Sequence, residues 1–174
     1  PENFLVINGV PQMRSSPPDV DAVIKRITNS EASLVIVDTL NRSFNGGDEN
    51  TSRDMGEFIA SCNRIIQETG THVAVVHHNG SDLRKKGRGH TSLEAAADTM
   101  VAVENKKNYH SARVTKSRHD EGDWQIQFVL EPIKLGEDTS DNSITSCFVR
   151  PIGRNDDRPR NPLNQHAKMA LQFL

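Results

Sequence analysis

Leu34 to Val37 are four consecutive apolar residues that run straight into Asp38 and Thr39. A strand of that composition has no polar side to give to water. It therefore reads as a strand buried on both faces, as in a parallel sheet. Its carboxylate falls where the strand leaves the core. In open α/β sheets ligands bind outside the carboxyl ends of the strands. A carboxylate at that rim can hold Mg²⁺ directly or through a bound water. The same pattern also fits a buried strand that closes in a turn aspartate.

A second strand of the same kind begins at His72, runs through Val73, Ala74, Val75 and Val76, and ends in His77 and His78. Between the two, residues 54–69 carry Met55, Phe58, Ile59, Cys62, Ile65 and Ile66 at helical spacing. Thr51, Ser52 or Asp54 suits the start of that helix, and Gly70 suits its end. Strand, helix and strand at this spacing make a βαβ unit. Asp38 and His77 are then expected at one end of neighbouring strands.

With 21 Lys and Arg against 23 Asp and Glu, the net charge of −2 points to no partner by itself. Its distribution says more. Arg84, Lys85, Lys86 and Arg88 form a compact basic run, and Lys106, Lys107, Arg113, Lys116 and Arg118 a second basic region. Cys62 and Cys147 are far apart, and Cys62 falls on the apolar helix face, which suits a reduced, cytoplasmic protein. No apolar run is long enough to span a membrane. The chain opens on Pro1 with a strand-like segment already under way and closes inside a helical pattern at 164–174. This suggests a piece of a longer protein.

The remaining punctuation gives a strand over 3–10, a proline-rich loop over 11–18, and a helix from Val20 to about Asn29 capped by Asp19. Residues 79–90 are glycine-bearing, basic and poor in apolar side chains, hence a loop. A short helix follows at 93–97 and a strand at 99–104. Strands at 112–116, 124–130 and 144–149 form an antiparallel extension. Trp124 is read as an anchor of that sheet. Three prolines and many charges make 150–163 a linker.

Taken together, Leu34 to Arg42, Gly47 to Asn50, Val75 to His78, Arg88 to Leu93 and Ala97 to Thr99 resemble the RecA-like ATPases of the RepA hexameric helicase group. These are plasmid and phage replication proteins often labelled AAA-family ATPases. The resemblance covers roughly residues 3–150. It implies an α/β fold, a RecA-like and mostly parallel sheet flanked by helices, with antiparallel C-terminal strands. It further implies an ATP- and Mg²⁺-dependent motor that works as a homo-oligomeric, hexameric ring on single-stranded DNA. The domain organisation follows: an ATPase core over 1–150, a linker over 151–163, and the start of a helical segment at 164–174.

One departure is plain. No Gly-x-x-x-x-Gly-Lys-[Ser/Thr] occurs in the 174 residues. The loop that cradles the phosphates, and the glutamate that activates water, are expected upstream of Pro1, so the 174 residues alone are expected not to hydrolyse ATP.

By the same resemblance, Asp38 is the Mg²⁺-side carboxylate of a Walker B strand, and Thr39 orients it or simply completes the strand. His77 and His78 stand where such proteins carry a polar sensor of the γ-phosphate. Zinc suits them poorly, because adjacent strand residues point to opposite faces and no third ligand lies at suitable spacing. Only one of the two is expected to face the nucleotide. Arg84, Lys85 and Lys86 fall in a loop that in the family contacts DNA, a role their charge suits, though a solvated charge run looks the same. Arg88 belongs to that run or to the phosphate side. Lys116 and Arg118 are placed as a finger reaching the neighbouring subunit's γ-phosphate, or as charges that decorate a hairpin end.

Asp48, Glu49 and Asn50 are read as a loop and capping segment, under which Glu49→Gln leaves most activity. Two other functions fit the same residues: a recombination or loading ATPase that does not unwind DNA, and a non-catalytic DNA-binding or assembly module.

Overall fold

The computed structural model describes residues 4–7, 9–78, 88–118, 124–139 and 142–153, with the side chains of 88–90 outside it. These form two compact units, one ending at Ala97 and the other starting at Asp98. Of the expected linker over 151–163, residues 154–163 lie outside the described residues, as does the expected helix over 164–174. Pro151 to Gly153 belong to the last strand.

In the first unit, helix α1 covers Pro17–Ser30 and starts three residues before the predicted Val20. Two prolines fill its first turn, where a missing N–H costs nothing. Ser16 is the N-cap and makes no side-chain cap bond. Asp19, predicted as the cap, instead accepts from the Gln12 backbone N–H at 2.7 Å and ties the proline-rich loop to the helix.

Strand β1 (Leu34–Asp38), a 3-10 turn at Asn41–Ser43, helix α2 (Ser52–Thr69) and strand β2 (His72–Val76) follow. Thr51 caps α2 by accepting from the Asp54 N–H, and Gly70 closes it with a φ of 70°, where a side chain would be strained. Helix α3 (Arg88–Ala96) begins earlier than the predicted 93, so residues 88–90 leave the expected loop.

β1 and β2 pair in parallel, in register from Leu34↔His72 to Asp38↔Val76. The ladder is secured at both ends. At its entry Thr71, 2% exposed, donates its hydroxyl to the Ala32 carbonyl at 2.6 Å. At its exit the Leu40 N–H donates to the Val76 carbonyl at 2.9 Å. The Asp38–Thr39 peptide bond is cis.

The core gathers Val20, Val23 and Ile27 of α1, Val37 and Leu40, Phe44, and Met55, Phe58 and Ile65 of α2. Phe44 and Phe58 meet with ring centroids 5.9 Å apart. Ile66, predicted on the apolar face of α2, is 42% exposed.

Two expectations change here. β1 is not covered on both faces: Val37 is buried, whereas Leu34 and Ile36 are 50% and 57% exposed. Among the described residues the core lies on the Val35–Val37 side, so the strand alternates like a half-covered one. Residues 4–7 form no strand either. Phe4 and Val6 are 70% and 62% exposed, and without a neighbouring ladder a β-prone segment has nothing to pair with.

The second unit is a four-stranded antiparallel sheet in the order β3 (Thr99–Asn105), β4 (His110–Ser117), β5 (Gln125–Glu137), β6 (Ser143–Gly153). The fold is therefore α/β, with a parallel pair followed by antiparallel strands. Ser111, Ala112 and Val114 are the buried residues of β4. A bulge at Thr115 lets Met100 face Lys116 while Val101 faces Val114. Trp124 precedes β5; its carbonyl accepts from the Val114 N–H at 3.1 Å, and its side chain is 47% exposed. Among the described residues no helix is long and apolar enough to cross a membrane.

Two measurements check this packing. Leu40 is wholly buried, so Leu40→Ala is expected to cost about 2–5 kcal/mol in urea unfolding. Cys62 packs against the core, and burial pushes its thiol up to about 12, whereas Cys147 is exposed. At pH 8 iodoacetamide is expected to label Cys147 first, and Cys62 roughly 100-fold more slowly or only after unfolding.

Candidate functional site

The parallel register decides where the polar groups gather. Asp38 closes β1 opposite Val76, the last residue of β2, so Asp38 and His77 lie at the same carboxyl rim of adjacent strands. The Asp38 side is exposed, and among the described residues its carboxylate has neither a hydrogen bond nor an ion pair. A single open carboxylate suits Mg²⁺, which keeps most of its water shell and takes further oxygens from phosphate. No three His, Cys, Asp or Glu side chains converge among the described residues, so a metal held wholly by protein has no site there. Thr39 is 8% exposed and its carbonyl accepts from the Ser43 N–H at 3.3 Å; no hydrogen bond joins it to the Asp38 carboxylate.

His77 and His78 lie just past the end of β2 and differ in exposure. His78 is exposed. The His77 side chain is 21% exposed, and its Nε2 lies 3.1 Å from Glu49 Oε2. Glu49 Oε1 in turn accepts from Asn41 Nδ2 at 2.6 Å. Asn41 opens the turn just after β1, and Glu49 sits two residues before the N-cap of α2. The rim therefore carries both Asp38 and a linked set, Asn41–Glu49–His77.

Sequence reasoning missed Glu49 in this role. Its neighbours behave as a capping segment should: Asp48 accepts from the N–H and side-chain amide of Asn50, and the Asp48 carbonyl accepts from the Thr51 hydroxyl. Glu49 alone reaches back to the sheet. The β1–β2 register and the return of the 41–50 loop bring it to His77, and neither is visible in spacing.

The loop that carries Asn41 and Glu49 is held from below. Arg14, 18% exposed at its side chain, donates from Nε to the Phe44 carbonyl at 3.0 Å and from Nη2 to the Asn45 carbonyl at 3.4 Å. Its Nη1 pairs with Glu57 at 3.1 Å and Asp54 at 3.4 Å. Asp54 also accepts from the Asp48 N–H at 2.9 Å. One guanidinium thus joins the proline-rich loop, the rim loop and the first turns of α2.

The other predicted residues fall elsewhere. Arg84, Lys85 and Lys86 lie outside the described residues, as does the side chain of Arg88, the first residue of α3. Lys116 and Arg118 belong to the second unit. Lys116 is in β4, opposite Met100, and Arg118 is one residue beyond the strand. Arg118 is engaged with Asp98, its backbone N–H with the carbonyl and its guanidinium with the carboxylate, both at 2.9 Å. A groove of about 480 Å³ lies against α1, lined by Val6, Ile7 and Val10 with Asp19 and Arg26, and none of its lining residues belongs to the rim. That lining holds no strand end and includes an acid, Asp19, along with its one cation, Arg26, so the rim, where the carboxyl ends of two parallel strands meet, is the candidate site.

Against this geometry, residues 3–83 match the family described as the AAA domain. The match spans α1 through β2, the elements that build the rim, and supports an ATPase-type, nucleotide-binding domain over that stretch. No curated protein matches the chain.

Gly47 gives a direct test of the support beneath the rim. A Cβ there would fall 2.7 Å from Arg14 Cδ and closer still to Nε. Gly47→Ala must displace a side chain held by several partners, and is expected to cost about 1–3 kcal/mol in chemical unfolding.

Proposed function

We propose that this chain is part of the core of a helicase-type motor of the RepA hexameric group, hydrolysing ATP to drive translocation along, or unwinding of, DNA in replication. The observation that carries the nucleotide part is the Asp38 carboxylate, unpaired among the described residues and exposed at the carboxyl rim of the two parallel strands that also carries His77. The motor part rests on the order of motifs from Leu34 to Thr99 and on the basic run Arg84–Arg88 that follows the rim.

Bound Mg²⁺ would neutralise charge on the β- and γ-phosphates. Asp38 is the group of this chain assigned to orient that ion, and Thr39 and Arg88 are assigned to the nucleotide side. When phosphate is bound, His77 acts as an imidazolium that keeps Nε2–H on Glu49 and donates Nδ1–H toward a phosphate oxygen, reporting its presence to the basic segment, where Arg84, Lys85 and Lys86 follow a single-stranded DNA backbone without reading sequence. Lys116 or Arg118 is assigned to the nucleotide of a neighbouring subunit, which makes a ring the working form. Arg118 would have to exchange Asp98 for phosphate to do this.

The test is phosphate release by the natural full-length protein, with and without single-stranded DNA. The wild type is expected to turn over ATP faster with DNA present. Asp38→Asn is expected to lower kcat at least about 100-fold. Turnover within threefold of wild type in that variant would remove Asp38 from the site.

A further inference from the structure

We infer that Glu49 is a positioning residue: with Asn41 it holds the His77 imidazole in one orientation and one protonation pattern at the rim beside Asp38. The inference rests on the nucleotide reading only for its effect on turnover.

The geometry is specific. Glu49 uses both carboxylate oxygens, Oε1 for the Asn41 amide at 2.6 Å and Oε2 for His77 Nε2 at 3.1 Å. An ionised carboxylate only accepts, so the ring nitrogen that faces it must carry the hydrogen. The contact therefore selects an imidazole protonated at Nε2 and fixes the ring plane. Asn41 matters because it takes the other oxygen and prevents the carboxylate from rotating away. The three groups come from three places: the turn after β1, the loop before α2, and the end of β2. A shift of His77 on phosphate contact would be passed through Glu49 into the 41–50 loop, and a shift of that loop would return to His77. Capping explains Asp48, Asn50 and Thr51 but gives no reason for an acid at position 49.

Two experiments separate this inference from the nucleotide reading. The first needs no nucleotide. The ¹⁵N shifts of the His77 ring are expected to report hydrogen at Nε2 in the wild-type chain and a mixture of tautomers in Glu49→Ala. Hydrogen at Nδ1 alone in the wild type, or no change in the variant, overturns the inference whether or not ATP is a substrate. The second is a double-mutant cycle on ATP turnover by the full-length protein. Glu49→Gln is expected to lower kcat about 10- to 100-fold with KM for ATP within threefold. Added to His77→Ala, it is expected to cause no further loss. Turnover of Glu49→Gln within twofold of wild type, or losses that multiply in the double variant, overturns it. A wild type without ATPase activity sinks the nucleotide reading, and the ring spectrum then decides this one.

Discussion

The parallel register of β1 and β2 is the constraint on which the rest of the first unit depends. It sets Asp38 opposite Val76 and so puts one carboxylate and one imidazole on a common edge. A slip of one residue would turn Val37 outward and Ile36 inward, exchanging a buried side chain for one that is 57% exposed. Burial of Val37, the Thr71 bond below and the Leu40 bond above all oppose that slip. The hydrophobic pattern therefore determines where the polar groups of the edge, Asp38 and His77, are placed.

The edge is built in layers of decreasing locality. Asp38 and His77 are there because strands end there. Glu49 is there because a loop returns. That loop returns because Arg14 grips its carbonyls and the first turns of α2 together. Acidic Asp54 serves twice, accepting from a backbone N–H of the loop while facing the guanidinium. A family match over residues 3–83 covers all three layers, so the likeness to AAA domains spans the supports as well as the strand ends.

Periodicity made much of this legible. The α2 face, its Thr51 cap and Gly70 stop, both parallel strands and the antiparallel run after residue 98 follow from apolar spacing and turn residues. What spacing does not contain is the partner of each face. Leu34 and Ile36 look as buried as Val35 and Val37 in one dimension, and only the placement of the core on one side tells them apart. The same limit hid Glu49. A glutamate followed by Asn50 and Thr51 has the chemistry of a helix start, and its bond to His77 spans 28 positions that no local rule connects. Asp19 shows the converse: a plausible cap was taken up by a longer-range bond to Gln12 once Pro17 and Pro18 had opened the helix.

Arg14 has a mechanical consequence. It lies outside the strand–helix–strand unit and well before any of the polar edge groups in sequence, yet the guanidinium is the rivet by which the proline-rich stretch grips the 41–50 segment. Gln12 and Ser15 add lighter ties to the same segment. Tension applied ahead of α1 thus reaches, chiefly through Arg14, a loop that ends within a few residues of Glu49, and loss of that one rivet would leave the edge chemically intact but only lightly coupled to the front of the chain.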